Sequence, residues 1–216
     1  MSDRIWRDVD SYIEDRLVAE DEALSAAIRD SATAGLPAIA VSAAQGKMLH
    51  LMALSVGAKR ILEVGTLGGY STIWLARSLS AGGELISLEL EPHNADVARR
   101  NIARAKPAAK VDVQIGPALK LLPGLSGPFD FTFIDANKED NAAYFTHALR
   151  LSRKGAIIIV DNVVREGAVT DPNGDERVQG VRKMFDMIAN EPRVSATAVQ
   201  TVGVKGYDGF LMAVVL

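Results

Sequence analysis

Asp135, Asp161 and Asn162 are the residues whose types and surroundings most directly suggest chemistry. The first follows the run Phe131-Thr132-Phe133-Ile134 and the other two follow Ile157-Ile158-Ile159-Val160, so all three sit where a strand ends. If those two strands are neighbours, three side-chain oxygens meet at one sheet edge. They form a hard, incomplete ligand set that leaves room for water or substrate. Magnesium, manganese or calcium suits such a set, and a soft metal does not. The plainer alternative makes any one of them a helix cap or turn residue; that all three share this role at adjacent strand ends is the weaker account. Lys138, three residues past Asp135, falls near the same point. A lysine beside a divalent cation can have its pKa lowered and accept a hydroxyl proton. Position alone carries that assignment, against the alternative of an ordinary surface lysine.

A second constellation lies upstream. The run Glu63-Val64-Gly65-Thr66-Leu67-Gly68-Gly69-Tyr70-Ser71 has the spacing G-x-x-G-G, not the G-x-G-x-x-G of dinucleotide folds. Its glycines allow a tight turn and close approach of backbone to a ligand, and Glu63 adds an acceptor for a cationic group. The next strand ends at Glu89, where an acid can accept both ribose hydroxyls of an adenosine. A bare strand-to-helix turn and a solvated strand-end acid are the respective alternatives. Together the two features favour a nucleoside cofactor.

The elements that must position these residues alternate. Residues 3–32 read as one helical segment, with Ile5, Tyr12, Ile13, Leu17, Leu24 and Ile28 at helical spacing, broken by Gly35-Leu36-Pro37. A helix from about Ser42 to Ser55 turns Met48, Leu51, Met52 and Leu54 inward. Strands are expected at 60–65, 84–90, 111–115, 129–135 and 156–160. Helices are expected at 71–79, 92–105, 117–122, 139–151 and 175–190, with a closing hairpin over 194–202 and 208–215. Repeated βαβ units imply a mostly parallel sheet covered on both faces. The reading is one domain over 1–216 with a helical arm at 1–40. Trp74 reads as helix packing, Trp6 and Tyr12 read as packing of the arm in preference to lining the acceptor pocket or a dimer contact, and His50, His93 and His147 show no ligand spacing. Arg165 and Glu166, just past Asp161 and Asn162, are placed where a lid could form, but are assigned no role.

Composition excludes several classes. A net charge of -3 provides no basic excess to neutralise phosphates, which argues against a nucleic-acid partner. The absence of cysteine removes disulfides, thiolate nucleophiles and Cys-ligated metals. No apolar run approaches a membrane span, and residues 1–10 are charged rather than leader-like. A soluble, cytoplasmic protein is expected.

The stretches ILEVGTLGGYS, ISLELEP, IGPALKLLP, FTFIDANK, IIIVDNVV and GYDGFLMAVVL together resemble the cation-dependent, catechol-type O-methyltransferases, the family of the plant caffeoyl-CoA enzymes and animal catechol O-methyltransferase. The resemblance covers roughly residues 38–216, and the FIDANK and VDN pair is specific to that family among methyltransferases. It implies a class I, Rossmann-like, S-adenosylmethionine-dependent fold with a seven-stranded sheet, and a homodimer. By the same resemblance Asp135, Asp161 and Asn162 ligate a magnesium-type cation, and Lys138 serves as base or charge stabiliser. Glu63, Gly65 and Ser71 hold the methionine portion of the cofactor, Glu89 the ribose, and Gly116 and Ala118 border the adenine. Val41 and Tyr144 match further positions near the cofactor, and Asp135 touches both cofactor and metal. The implied substrate is a small phenolic molecule with a second oxygen beside its hydroxyl. Asn137 and Asn141 depart from the acid- and tyrosine-rich run common in the family, which leaves the acceptor open. An NAD-linked oxidoreductase on the same sheet, or a non-catalytic sensor keeping the nucleoside pocket, are the competing readings.

Overall fold

Continuous apolar runs dictate strands buried on both faces. In the computed structural model, which describes residues 2–216, five strands run parallel: β1 (Arg60–Val64), β2 (Glu84–Glu89), β3 (Lys110–Ile115), β4 (Phe129–Ile134) and β5 (Ser152–Asp161). An antiparallel hairpin of β6 (Val194–Gly203) and β7 (Gly206–Val215) completes the sheet. The strand order β3-β2-β1-β4-β5-β7-β6 is the seven-stranded, mostly parallel α/β arrangement expected.

Strand periodicity sorts the core between two layers. Phe131, Phe133, Ile157 and Ile159 face α3 (Ala43–Ser55), α4 (Tyr70–Ala76) and α5 (Pro92–Ala105). Ile134, Ile158 and Val160 face α7 (Asn141–Leu151) and α8 (Glu176–Ala189), with α6 (Ala118–Leu121) beyond. Each such side chain, fully buried, contributes about 1.5–3 kcal/mol, an upper figure because unfolded chains already hide some apolar surface.

Two expectations need correction. The segment 3–32 is not one helix: α1 (Ser2–Leu17) and α2 (Glu22–Thr33) are separated because Asp21 turns extended and accepts from Leu24 N at 3.1 Å, capping α2. Leu24 is buried, but Ile5, Tyr12 and Leu17 stay exposed. In α3 the inward face is Gly46, Leu49 and Ala53, whereas Leu51 and Leu54 point to solvent. The Trp74 ring causes this rotation: it lies 2.3 Å from where a Cβ on Gly46 would stand, so glycine admits the close approach of α3 and α4. No helix among the described residues is long and apolar enough to cross a membrane.

β1 lies between β2 and β4, so successive connections leave its carboxyl end in opposite directions. Such a reversal opens a crevice beyond the strand ends.

Candidate functional site

Register alone brings the acidic pair together. Ile134 pairs with Val64 on one side and Val160 on the other. The next residues, Gly65, Asp135 and Asp161, therefore leave three adjacent strands at one level. Gly65 has φ +101, and a Cβ there would lie 2.1 Å from the Asp135 carbonyl oxygen. Only glycine allows the first loop to pass so close to the second.

The side chains at this edge form a charged knot. Lys138 is buried and its Nζ donates to Asp135 Oδ1 at 2.8 Å. Asp161 is 5% exposed, and Gln45 Nε2 donates to its Oδ2 at 2.8 Å. Burial first, then the negative charge of Asp135, push the Asp161 carboxyl up to about 7. Asn162 follows in the left-handed region at φ 55, a conformation asparagine tolerates. No cluster of three His, Cys, Asp or Glu exists among the described residues; the set is two carboxylates and an amide. Its oxygens are hard donors with lone pairs to spare beyond the Lys138 and Gln45 bonds. A carboxylate pair held this close is what a small divalent cation relieves, so the residues fit one.

These residues border a cleft of about 850 Å³. Val41, Gly65, Ser71, Glu89, Gly116, Ala118, Asp135, Lys138, Tyr144 and Asn162 all line it. Glu63 and Asp161 stand behind the wall. Glu89 Oε2 accepts from Thr66 N at 3.1 Å and Leu67 N at 2.8 Å, so the acid expected to meet a ribose also fixes the glycine loop. Tyr144 donates its hydroxyl to Asn137 Oδ1, and burial followed by the charge of Asp140 pushes its phenol up to about 12.

Glu63 has no exposed surface. Its Oε1 accepts from Ser71 Oγ at 2.7 Å, and its Oε2 from Thr72 Oγ1 at 2.5 Å and Ser87 Oγ at 2.6 Å. Burial outweighs these donors and pushes the carboxyl from 4.5 up to about 7. The folded chain thus holds this proton more tightly than the unfolded one. Its stabilising contribution is complete below about 4.5 and is lost as pH rises through about 7, in total about 3 kcal/mol. Urea unfolding at about pH 5 and about pH 8 is expected to show the wild type losing that much relative to Glu63→Gln. Parallel pH dependences in the two proteins would refute it.

The loop after β5 is strained. Arg165 and Glu166 have φ 56 and φ 55, and Gly167 follows at φ 89. A left-handed non-glycine residue costs on the order of 1–3 kcal/mol. Asp208, on β7, holds the loop: its Oδ1 accepts from Val164 N at 3.0 Å and from Arg165 N at 2.9 Å.

Gln45 and Asp208 escaped the sequence reading because each acts through a partner more than 40 positions away. Neither type carries a local signal. Arg165 and Arg177 line the cleft without having been singled out for it. Trp6 and Tyr12 are not among its lining residues; Tyr12 is exposed, with the Arg16 guanidinium 3.6 Å from its ring centroid.

Known proteins share this architecture. A family model described as O-methyltransferase matches residues 14–213. A catechol O-methyltransferase of Mycobacterium tuberculosis is 51% identical over 209 residues, covering 96% of this chain and 95% of the relative. Among solved structures, an O-methyltransferase from Bacillus cereus in complex with SAH is 54% identical, with TM-score 0.96 and 99% of each chain covered. TomG, an O-methyltransferase from Streptomyces achromogenes in complex with SAM, is 51% identical, with TM-score 0.97, covering 100% of this chain and 99% of the other.

Proposed function

Because this chain belongs to the O-methyltransferase family, we propose that it transfers the methyl group of S-adenosylmethionine to one hydroxyl of a vicinal dihydroxy aromatic, beside a divalent cation held by Asp135, Asp161 and Asn162. The chain is an O-methyltransferase; the NAD-linked and sensor alternatives fall with the family match. The donor rests on the SAM and SAH complexes of the similar structures and on a cleft bordered by Gly65, Ser71, Glu89, Gly116 and Ala118. The observation that carries the acceptor site is the register that ends β4 and β5 in Asp135 and Asp161 side by side. We read residues 1–216 as one methyltransferase domain, in keeping with a family match over 14–213. Exposed Val199 and Val202 on the edge strand β6 support the homodimer.

A bound divalent cation supplies positive charge that lowers the pKa of the acceptor hydroxyl. Lys138, buried beside Asp135, takes the hydroxyl proton or, already charged, offsets the negative oxygen. That oxygen bonds to the methyl carbon while the electron pair of the carbon–sulfur bond stays on sulfur. Negative and positive charges cancel in this step, which the buried wall around Asp161 and Glu63 favours. Gln45 keeps Asp161 aimed from behind, so orientation provides much of the acceleration.

Chelation tests the reading. EDTA is expected to abolish transfer to catechol, and excess magnesium to restore it. Full activity in EDTA removes the cation from the mechanism.

A further inference from the structure

We infer that Arg165 selects the acceptor: its guanidinium receives the carboxylate of an aromatic dihydroxy acid, in preference to a neutral catechol. The inference rests on the proposed catechol-type reaction and names the substrate class within it. Arg165 lines the same cleft as Asp135, Lys138 and Asn162 and is half-buried. Its backbone N–H is bound to Asp208, but its guanidinium makes no ion pair or hydrogen bond among the described residues. The other arginine of the cleft, Arg177, is offset by Glu139 with Nε 3.7 Å from Oε1. Asp140, the neighbouring acid, accepts from Asn137 Nδ2 at 2.8 Å. Arg165 is thus a cation facing a binding space with its charge unspent.

Its backbone points the same way. Arginine gains nothing from a left-handed conformation, yet φ is 56 here, and Asp208 fixes it by taking the N–H groups of Val164 and Arg165. Strain of this kind persists where surrounding structure over-determines it, commonly at ligand clamps. The same short loop starts at Asn162, so the backbones that carry the Asn162 amide and the Arg165 side chain are held in fixed relation. A planar guanidinium matches a carboxylate through two parallel hydrogen bonds. A cleft of about 850 Å³ shared with the methyl donor suits an acceptor of one or two rings.

Calorimetric titration of the SAH-loaded protein in magnesium, with 3,4-dihydroxybenzoate and with catechol, tests this, alongside turnover of both. The wild type is expected to bind the acid more tightly. In Arg165→Gln the Kd for the acid rises about tenfold, equivalent to about 1.4 kcal/mol, while that for catechol is unchanged. Arg165→Lys recovers part of the difference, because the charge remains and the fork does not. Equal affinity of the wild type for both ligands, or a variant that weakens both alike, overturns the inference and leaves the catechol reading standing. Binding and turnover of neither ligand removes the catechol reading first, and this inference with it.

Discussion

Asp161→Ala is expected to lower kcat/KM for a catechol roughly a hundredfold or more while leaving SAH affinity within about threefold. The two ligands separate because Asp161, buried with Gln45 and Asp135 as its neighbours, is assigned to the cation, whereas Glu89, Gly116 and Ala118 are assigned to the nucleoside. The variant should still fold. Alanine leaves Gln45 Nε2 without its acceptor, a cost of about 1–3 kcal/mol, but it also removes a carboxylate that burial and Asp135 push up to about 7. Asp161→Asn separates the effects by keeping the shape and discarding the charge. At about pH 8 it should be at least as stable as the wild type, yet as inactive as the alanine variant. Steady-state kinetics with and without magnesium, paired with SAH titration, gives the answer. An Asp161 variant that loses SAH binding while its magnesium affinity is unchanged would show the assignment to be wrong.

Gly65→Ala should be the most damaging single methyl group in the chain. Its Cβ would stand 2.1 Å from the Asp135 carbonyl oxygen and 2.8 Å from its carbonyl carbon, both backbone atoms that cannot swing aside. The left-handed φ of +101 adds strain of about 1–3 kcal/mol before any clash. Relief requires β1 and β4 to part beyond Val64–Ile134, which breaks the bond from Asp135 N to Val64 O at 2.8 Å. The expected result is a loss of several kcal/mol in urea unfolding and weaker binding of both SAH and cation. Gly57→Ala is the control. Its φ is also positive, at +63, but nothing lies within 4 Å of the added atom. Equal effects at the two sites would show that conformation, not the contact with Asp135, governs Gly65.

Much of the site was legible because it is built from strand ends. A run such as Ile157–Val160 announces both the strand and the place where its successor residues emerge. Parallel register then does the rest. What the sequence concealed acts across layers. Gln45 reaches Asp161 from α3, and nothing in Ala44-Gln45-Gly46 marks that amide as different from any other. The inward face of α3 was misread for a related reason: the apolar Leu51 and Leu54 suggest one face, but Trp74 against Gly46 imposes another. Periodicity describes a helix by itself, and its rotation is set by its neighbour. The break between α1 and α2 did have a local signal in Asp21, whose capping geometry outweighs an otherwise continuous helical pattern.

The position of β7 sets an order of events during synthesis. β5 acquires its outer neighbour only when Leu211–Val214 arrive, and the loop bearing Asn162 and Arg165 has no clamp until Asp208 is present. Domains form as the chain emerges from the ribosome, and contacts between distant positions form late. A chain that ends before Asp208 therefore lacks both the outer neighbour of β5 and the clamp on the loop that carries Asn162 and Arg165.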